Sequence, residues 1–237
     1  MSESDAFGVL VTRPEPAASE TAKLVIALGY RPIVAALLEI HSLWAALPPA
    51  GRVQAILATS GNAIQVLPSS HRHLPLFAVG EATAGRARAA GFAQVVSADG
   101  NAGALADLVA ERCVHRAAPL LVATGRGQGR DLAADLRARG FRVTRRVVYA
   151  AVPVAVLPDA ARVALASGRL TAALFFSAQT AHQCVRLVRA AHLAKTVQSV
   201  EALAIGEAAA VALRALPWRR IRVAERPNQN AMLALLQ

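Results

Sequence analysis

The chain writes one phrase twice. VGEATAGRARAAGF at residues 79–92 returns as IGEAAAVALRALPW at 205–218, with Gly80 on Gly206 and Glu81 on Glu207. Other matches keep the same order. AILATSGNAIQVL (55–67) faces AALFFSAQTAHQCV (172–185), with Ser60 opposite Ser177. VVSADGNAGALADLV (95–109) faces VAERPNQNAMLALL (223–236), with Asn101 opposite Asn230. GVLVTRPEPAASETAKLVIALGYRPI (8–33) faces LLVATGRGQGRDLAADLRARGFRV (120–143). A repeat of that size is a duplicated domain rather than a solenoid unit. The 237 residues suffice for two small domains.

Strand and helix patterns alternate through both copies. The short apolar runs FGVLVT, VQAILATS, PLFAVG, PLLVATG, TAALFFS and EALAIG each end in small or hydroxyl residues and lead into helical stretches. Near-continuous apolar strands joined through helices indicate parallel sheets covered on both faces. In ASETAKLVIALG the apolar Leu24, Ile26 and Leu28 mark a helix that Gly29 stops, as Gly140 stops its counterpart.

Two segments are too long for one short parallel strand: YRPIVAALLEI (30–40) and FRVTRRVVYAAVP (141–153). They hold equivalent places in the two copies. Each is expected to begin in a sheet and run on beyond it, and paired together they make a two-stranded ladder joining two lobes. The expected division is a discontinuous first lobe (1–35 with 154–237), linker strands at 36–40 and 145–153, and a second lobe at 41–144.

Composition narrows the function. No apolar run is long enough to span a bilayer, and the polar, acidic opening MSESDAFG does not read as a secretory signal. Two cysteines, Cys113 and Cys184, are too few for a disulfide framework, so the expectation is a reduced, cytoplasmic protein. The net charge of +11 attracts anions. No helix-turn-helix, zinc-finger or RNA-binding signature accompanies it, so a polyanionic small molecule is favoured over nucleic acid or a membrane. GRGQG (125–129) lacks the Lys-Ser/Thr of a P-loop. HRH (71–73), CVH (113–115) and HQC (182–184) do not build a spaced four-ligand set, so no metal site is expected.

VLVTRPEP, ILATSGNAIQVL, FAVGEATA, GFAQVVSADGNAGALADLV, LLVATGRGQGRDLAADLRARG, VVYAAVP and ALFFSAQTA, in that order, resemble the uroporphyrinogen-III synthase family over essentially the whole chain. The resemblance implies two flavodoxin-like α/β lobes with parallel sheets, a two-stranded antiparallel linker, and an active site in the interlobe cleft. It also implies a cofactor-free enzyme that closes the linear hydroxymethylbilane into uroporphyrinogen III while inverting the last pyrrole ring. Such an enzyme is expected to act as a monomer.

The bilane is an octa-anion, and helix starts at the carboxyl ends of parallel strands bind anions. Candidate carboxylate binders are therefore Thr12, Arg13, Thr59, Ser60, Gly80, Thr83, Thr124, Gly125, Ser177 and Gly206. Ser and Thr there serve equally as helix N-caps, and Arg13 reads either as a propionate partner or as an ion pair with Glu15 or Glu20. Tyr149 in VVYAAVP matches the family's linker tyrosine, implied to assist departure of the bilane hydroxyl. One departure stands out: GEAAA puts Ala208 and Ala209 where the family often has threonines. That feature points toward the alternative, a non-catalytic tetrapyrrole or anion sensor with the same fold. A periplasmic-type solute-binding protein is a further alternative, disfavoured by the opening residues.

Overall fold

The computed structural model describes residues 7–237. The strands are β1 (Gly8–Val11), β2 (Arg31–Val34), β3 (Leu38–Ser42), β4 (Ala55–Ala58), β5 (Leu76–Ala78), β6 (Val95–Ser97), β7 (Leu120–Gly125), β8 (Val143–Pro153), β9 (Leu170–Phe175), β10 (Glu201–Ala204) and β11 (Arg220–Val223). The helices are α1 (Ala17–Ala27), α2 (Gly61–Ile64), α3 (Glu81–Ala89), α4 (Ala102–Arg112), α5 (Arg130–Ala138), α6 (Asp159–Ala166), α7 (Ala178–Ala190), α8 (Glu207–Leu213) and α9 (Gln229–Ala234).

The chain divides into two compact units, one taking the residues up to Glu39 with Val152–Gln237, the other Ile40–Ala151. The first holds a five-stranded sheet ordered β2-β1-β9-β10-β11, all parallel. The second sheet runs β3-β8-β7-β4-β5-β6, parallel from β8 to β6. Each sheet therefore takes the opening strand–helix–strand of one sequence copy and the closing three strands of the other. β1 lies beside β9, not β4, and β7 beside β4, not β9.

This exchange places two topological switch points. Strand order reverses between β1 and β9 in one unit and between β7 and β4 in the other. In open α/β sheets the crevice for a ligand lies outside the carboxyl ends of the strands at such a point.

Burial explains the apolar strand runs. Every residue of GVLV in β1 is buried, Leu10 in the core on one face and Val9 and Val11 in the core on the other. In β4, Ile56 and Ala58 face the core under α2 and α3, while Ala55 and Leu57 face that under α4 and α5. Strands covered on both faces have no reason to alternate with polar residues.

The structure departs from the expected pattern in several places. In α1 the buried residues are Ala17, Ala18, Thr21 and Val25, whereas Leu24 and Ile26 are 39% and 60% exposed. The helix turns Ala17, Ala18, Thr21 and Val25 inward and leaves Leu24 and Ile26 outside. Gly29 and Gly140 do end their helices, at φ 83° and 89°. The two long segments also differ. β8 is one continuous strand of 11 residues, while the 30–40 segment breaks into β2 and β3. The break is fixed by backbone bonds from Ala35 and Leu37 N–H to the carbonyls of Val11 and Thr12 at the end of β1. β3 runs antiparallel to β8, with Leu43 N–H bonded to Val148 O and Val154 N–H to Leu37 O. The division between the units falls inside β3 and inside β8.

Candidate active site

In the Ile40–Ala151 unit, the switch point between β7 and β4 gathers Thr124 and Gly125 at one strand end, Thr59 and Ser60 at the other, and Tyr149 on β8. Tyr149 pairs in register with Gly125 and is 2% exposed. Gly125 leaves room for it: a Cβ at position 125 would stand 2.7 Å from the ring carbon Cζ. The tyrosine hydroxyl donates to Gln128 Oε1 at 3.1 Å, and the Ser60 hydroxyl faces the phenol itself. Burial raises the Tyr149 pKa above its ordinary value, and the Ser60 hydroxyl opposes that rise by favouring the phenolate. The proton is therefore held at neutral pH.

Gln128 was not legible as a site residue. It lies in GRGQG, between Gly127 and Gly129, whose φ angles of 80° and 71° only glycine adopts freely. That turn carries the chain over Tyr149, with Arg126 N–H bonded to Tyr149 O and the Arg145 guanidinium Nε donating to Gln128 O. The signal in the sequence was the pair of glycines flanking one polar residue.

Two buried hydroxyls beside this tyrosine have no partner among the described residues: Thr59 Oγ1 and Thr124 Oγ1. Buried hydroxyls are ordinarily satisfied, so these two stand out at the strand ends. Ser60 caps α2, accepting from Asn62 N–H at 3.3 Å.

At the next strand end, Gly80 begins α3 without a side-chain cap. Its backbone is extended, which any residue adopts, and an added Cβ would meet nothing within 4 Å. Neither conformation nor packing explains a glycine there; what it provides is open space in front of the helix's first N–H groups. Thr83 lies on the buried face of α3.

The other unit repeats the arrangement with different side chains. Gly206 begins α8 in the same extended conformation, again with nothing within 4 Å of a built Cβ. Ser177 caps α7, accepting from Thr180 N–H at 3.1 Å, and its hydroxyl lies 2.8 Å from Thr180 Oγ1. Thr12 is fully buried and donates to Leu174 O at 2.6 Å, so its proton ties β1 to β9. Arg13 packs its guanidinium 4.1 Å from the Phe176 ring centre and donates to Gln229 Oε1 at 2.9 Å and Thr21 Oγ1 at 3.2 Å. Glu15 accepts from Ser19 instead, through both N–H and hydroxyl. Tyr30, the other tyrosine, gives its hydroxyl to the Leu236 carbonyl.

The repeat alignment needs one correction. Asn101 caps α4 by accepting from Ala104 N–H, and its counterpart is Asn228, which caps α9 by accepting from Ala231 N–H. Asn230 lies inside that helix, because Val223 ends its strand whereas Val95, set against it in the sequence match, begins one.

Residues 19–234 match the family model for uroporphyrinogen-III synthase HemD. The chain belongs to the uroporphyrinogen-III synthase family. No curated protein sequence matches it significantly. Among solved structures, it is similar to the uroporphyrinogen-III synthetase of Helicobacter pylori 26695, at 16% identity and TM-score 0.63 over 97% of this chain and 98% of that one. It is also similar to a mutant uroporphyrinogen III synthase of the extremely thermophilic bacterium Thermus thermophilus, at 20% identity and TM-score 0.52 over 98% and 97%. These likenesses carry the fold: two parallel-sheet α/β units, as in the bilobal synthases.

A synthase is an enzyme of tetrapyrrole biosynthesis, and its activity is closure of hydroxymethylbilane to uroporphyrinogen III with inversion of the last ring. The sensor alternative rested on Ala208 and Ala209 and is not favoured. Ala209 is 1% exposed on the buried face of α8, the same place as Thr83 in α3, so methyl for hydroxyl there is a core exchange. Among the described residues, no three His, Cys, Asp or Glu gather as a metal ion would need, and no helix is long and apolar enough to cross a membrane.

Proposed function

We propose that this synthase performs its ring closure with Tyr149 as proton donor to the departing hydroxyl, and holds the bilane's carboxylates at its strand-end turns. The observation that carries the reading is the Tyr149 phenol, protonated and buried at a switch point, beside two threonine hydroxyls that nothing in the protein satisfies among the described residues. Gln128 holds the phenol in orientation before substrate arrives.

In the reaction the bilane's terminal carbon–oxygen bond breaks and its electron pair leaves with the oxygen. The phenol proton joins that oxygen, and water departs. The Ser60 hydroxyl favours the phenolate left behind, so the step does not strand an unpartnered buried charge. The pyrrole nitrogens of the substrate supply the electrons that stabilise the cation. The remaining task of the protein is to hold the chain folded and keep water from the cation.

The carboxylates meet Gly80 and Gly206, where open space lies before uncapped helix starts, and the hydroxyls of Thr59 and Thr124. Arg13, Thr12 and Ser177 set the walls of their turn rather than donate to substrate directly. The +11 charge steers the anion in. The two cysteines are free thiols, which suits a monomeric enzyme of the reduced cytoplasm.

The test uses enzymatically generated hydroxymethylbilane and chromatography of the uroporphyrinogen isomers. Wild-type protein yields type III. Tyr149→Phe keeps the fold and slows type III formation about tenfold to a hundredfold, the low end for general-acid catalysis. Wild-type turnover by that variant would overturn the role of the phenol.

A further inference from the structure

Between α5 and the first half of β8, four arginines line one cavity of about 430 Å³: Arg130 and Arg137 from the helix, Arg145 and Arg146 from the strand. Its size lies within the span of small-ligand pockets, roughly 300–1,000 Å³. Ala133, Val143 and Thr144 complete the lining, and no carboxylate is among the lining residues. The acidic residues of α5 fall on another row of the helix, where Asp135 pairs with Arg139, which also holds Asp107 of α4.

The geometry also explains why the arginines converge. Arg130, Ala133 and Arg137 stand at i, i+3 and i+7, one face of a helix. Consecutive strand residues ordinarily point to opposite faces, yet all four residues from Val143 to Arg146 line this cavity. They precede the ladder with β3, which begins at Val148, so this end of β8 is an edge open from the side.

None of these four guanidinium groups has an ion-pair partner among the described residues. Arg137 donates to Val143 O at 3.0 Å, Arg145 to Gln128 O at 2.9 Å, and Arg146 to Ala46 O at 2.9 Å and Arg145 O at 3.2 Å. Most of the five N–H donors on each side chain stay open. Like charges brought together without a counter-charge repel, and planar guanidinium forks match the oxygens of phosphate and carboxylate.

We propose that this cavity is a second anion site, which takes a small, multiply charged oxyanion bearing phosphate or clustered carboxylates. It is connected to the reaction through one residue. Arg145 lines the cavity and also fixes the carbonyl of Gln128, whose side chain accepts from Tyr149. An anion that draws the Arg145 guanidinium off the Gln128 carbonyl loosens that turn, so occupancy lowers turnover. Binding stands apart from the role of Tyr149; the effect on turnover rests on that role.

The experiment titrates the full chain with pyrophosphate and, separately, with a tricarboxylate at physiological salt. Calorimetry gives stoichiometry, and ¹⁵N NMR gives the location. One saturating site is expected, with shifts centred on residues 143–146 and on the arginine Nε signals. The exposed Arg130→Gln/Arg137→Gln double variant should weaken it at least tenfold while retaining its thermal melt. Preference for one probe identifies the ligand's oxyanion type. Binding unchanged in the double variant, or shifts confined to Gly80 and Gly206, would overturn the site. A double variant that aggregates, from a wild type that binds neither probe, would assign these charges to guarding the β8 edge and also overturn it.

Discussion

The ring of Tyr149 fills the space that any side chain on Gly125 would need: a Cβ there would lie 2.7 Å from Cζ and 2.9 Å from the hydroxyl oxygen. Gly125 thus seats the tyrosine, which is a different task from touching substrate. Gly125→Ala forces the ring to move, at about 1–3 kcal/mol of overpacking. Type III formation should fall at least as far as in Tyr149→Phe, with a lowered urea midpoint. Unchanged turnover and midpoint would show that the ring has room to spare.

Gly80 and Gly206 predict the opposite pattern. Both are extended and neither is crowded, so alanine should cost below about 1 kcal/mol, the scale of a weakened N-cap. Each methyl would stand in the space assigned to a carboxylate, and KM for the bilane should rise about tenfold. Variants with wild-type KM would place the carboxylates elsewhere.

Stability should decline in alkali. Burial raises Cys184 from 9.0 to about 12 and Cys113 from 9.0 to about 11, and raises Tyr149 above 10.0. The folded state keeps protons that the unfolded chain has lost, so this stability is complete below about pH 9 and disappears as pH rises toward 12. Urea midpoints between pH 8 and 11 will show it, and Cys184→Ala should flatten the slope. A slope equal to wild type would exclude the buried thiol as its source.

The exchange of strands between copies predicts which fragments fold. Residues 40–151 carry a complete parallel sheet from β8 to β6 on one continuous piece of chain. Residues 1–118, although one whole sequence copy, hold β1 and β2 without β9, and β4 to β6 without β7. The first should unfold cooperatively in urea by circular dichroism, and the second should not. The reverse result would mean that each sequence copy is its own folding unit.

The sequence by itself determined the duplication, the alternation of strand and helix, the buried strands and the helix ends. Each is a local matter: burial on both faces removes polar residues from β1 and β4, and left-handed turns select Gly29 and Gly140. Ser60 and Ser177 were legible as caps because a cap bonds to amides two or three residues away. Partners distant in sequence were decided only in three dimensions. The Thr12 hydroxyl looked free until β9 supplied Leu174 O, 162 residues on, and Arg13 found Gln229 at a separation of 216. Gln128 and Gly125 acquire meaning only once β7 and β8 are paired and Tyr149 lies over the turn. A run of residues encodes its own hydrogen bonds and periodicity, but which strand becomes its neighbour depends on the whole sheet closing over its core.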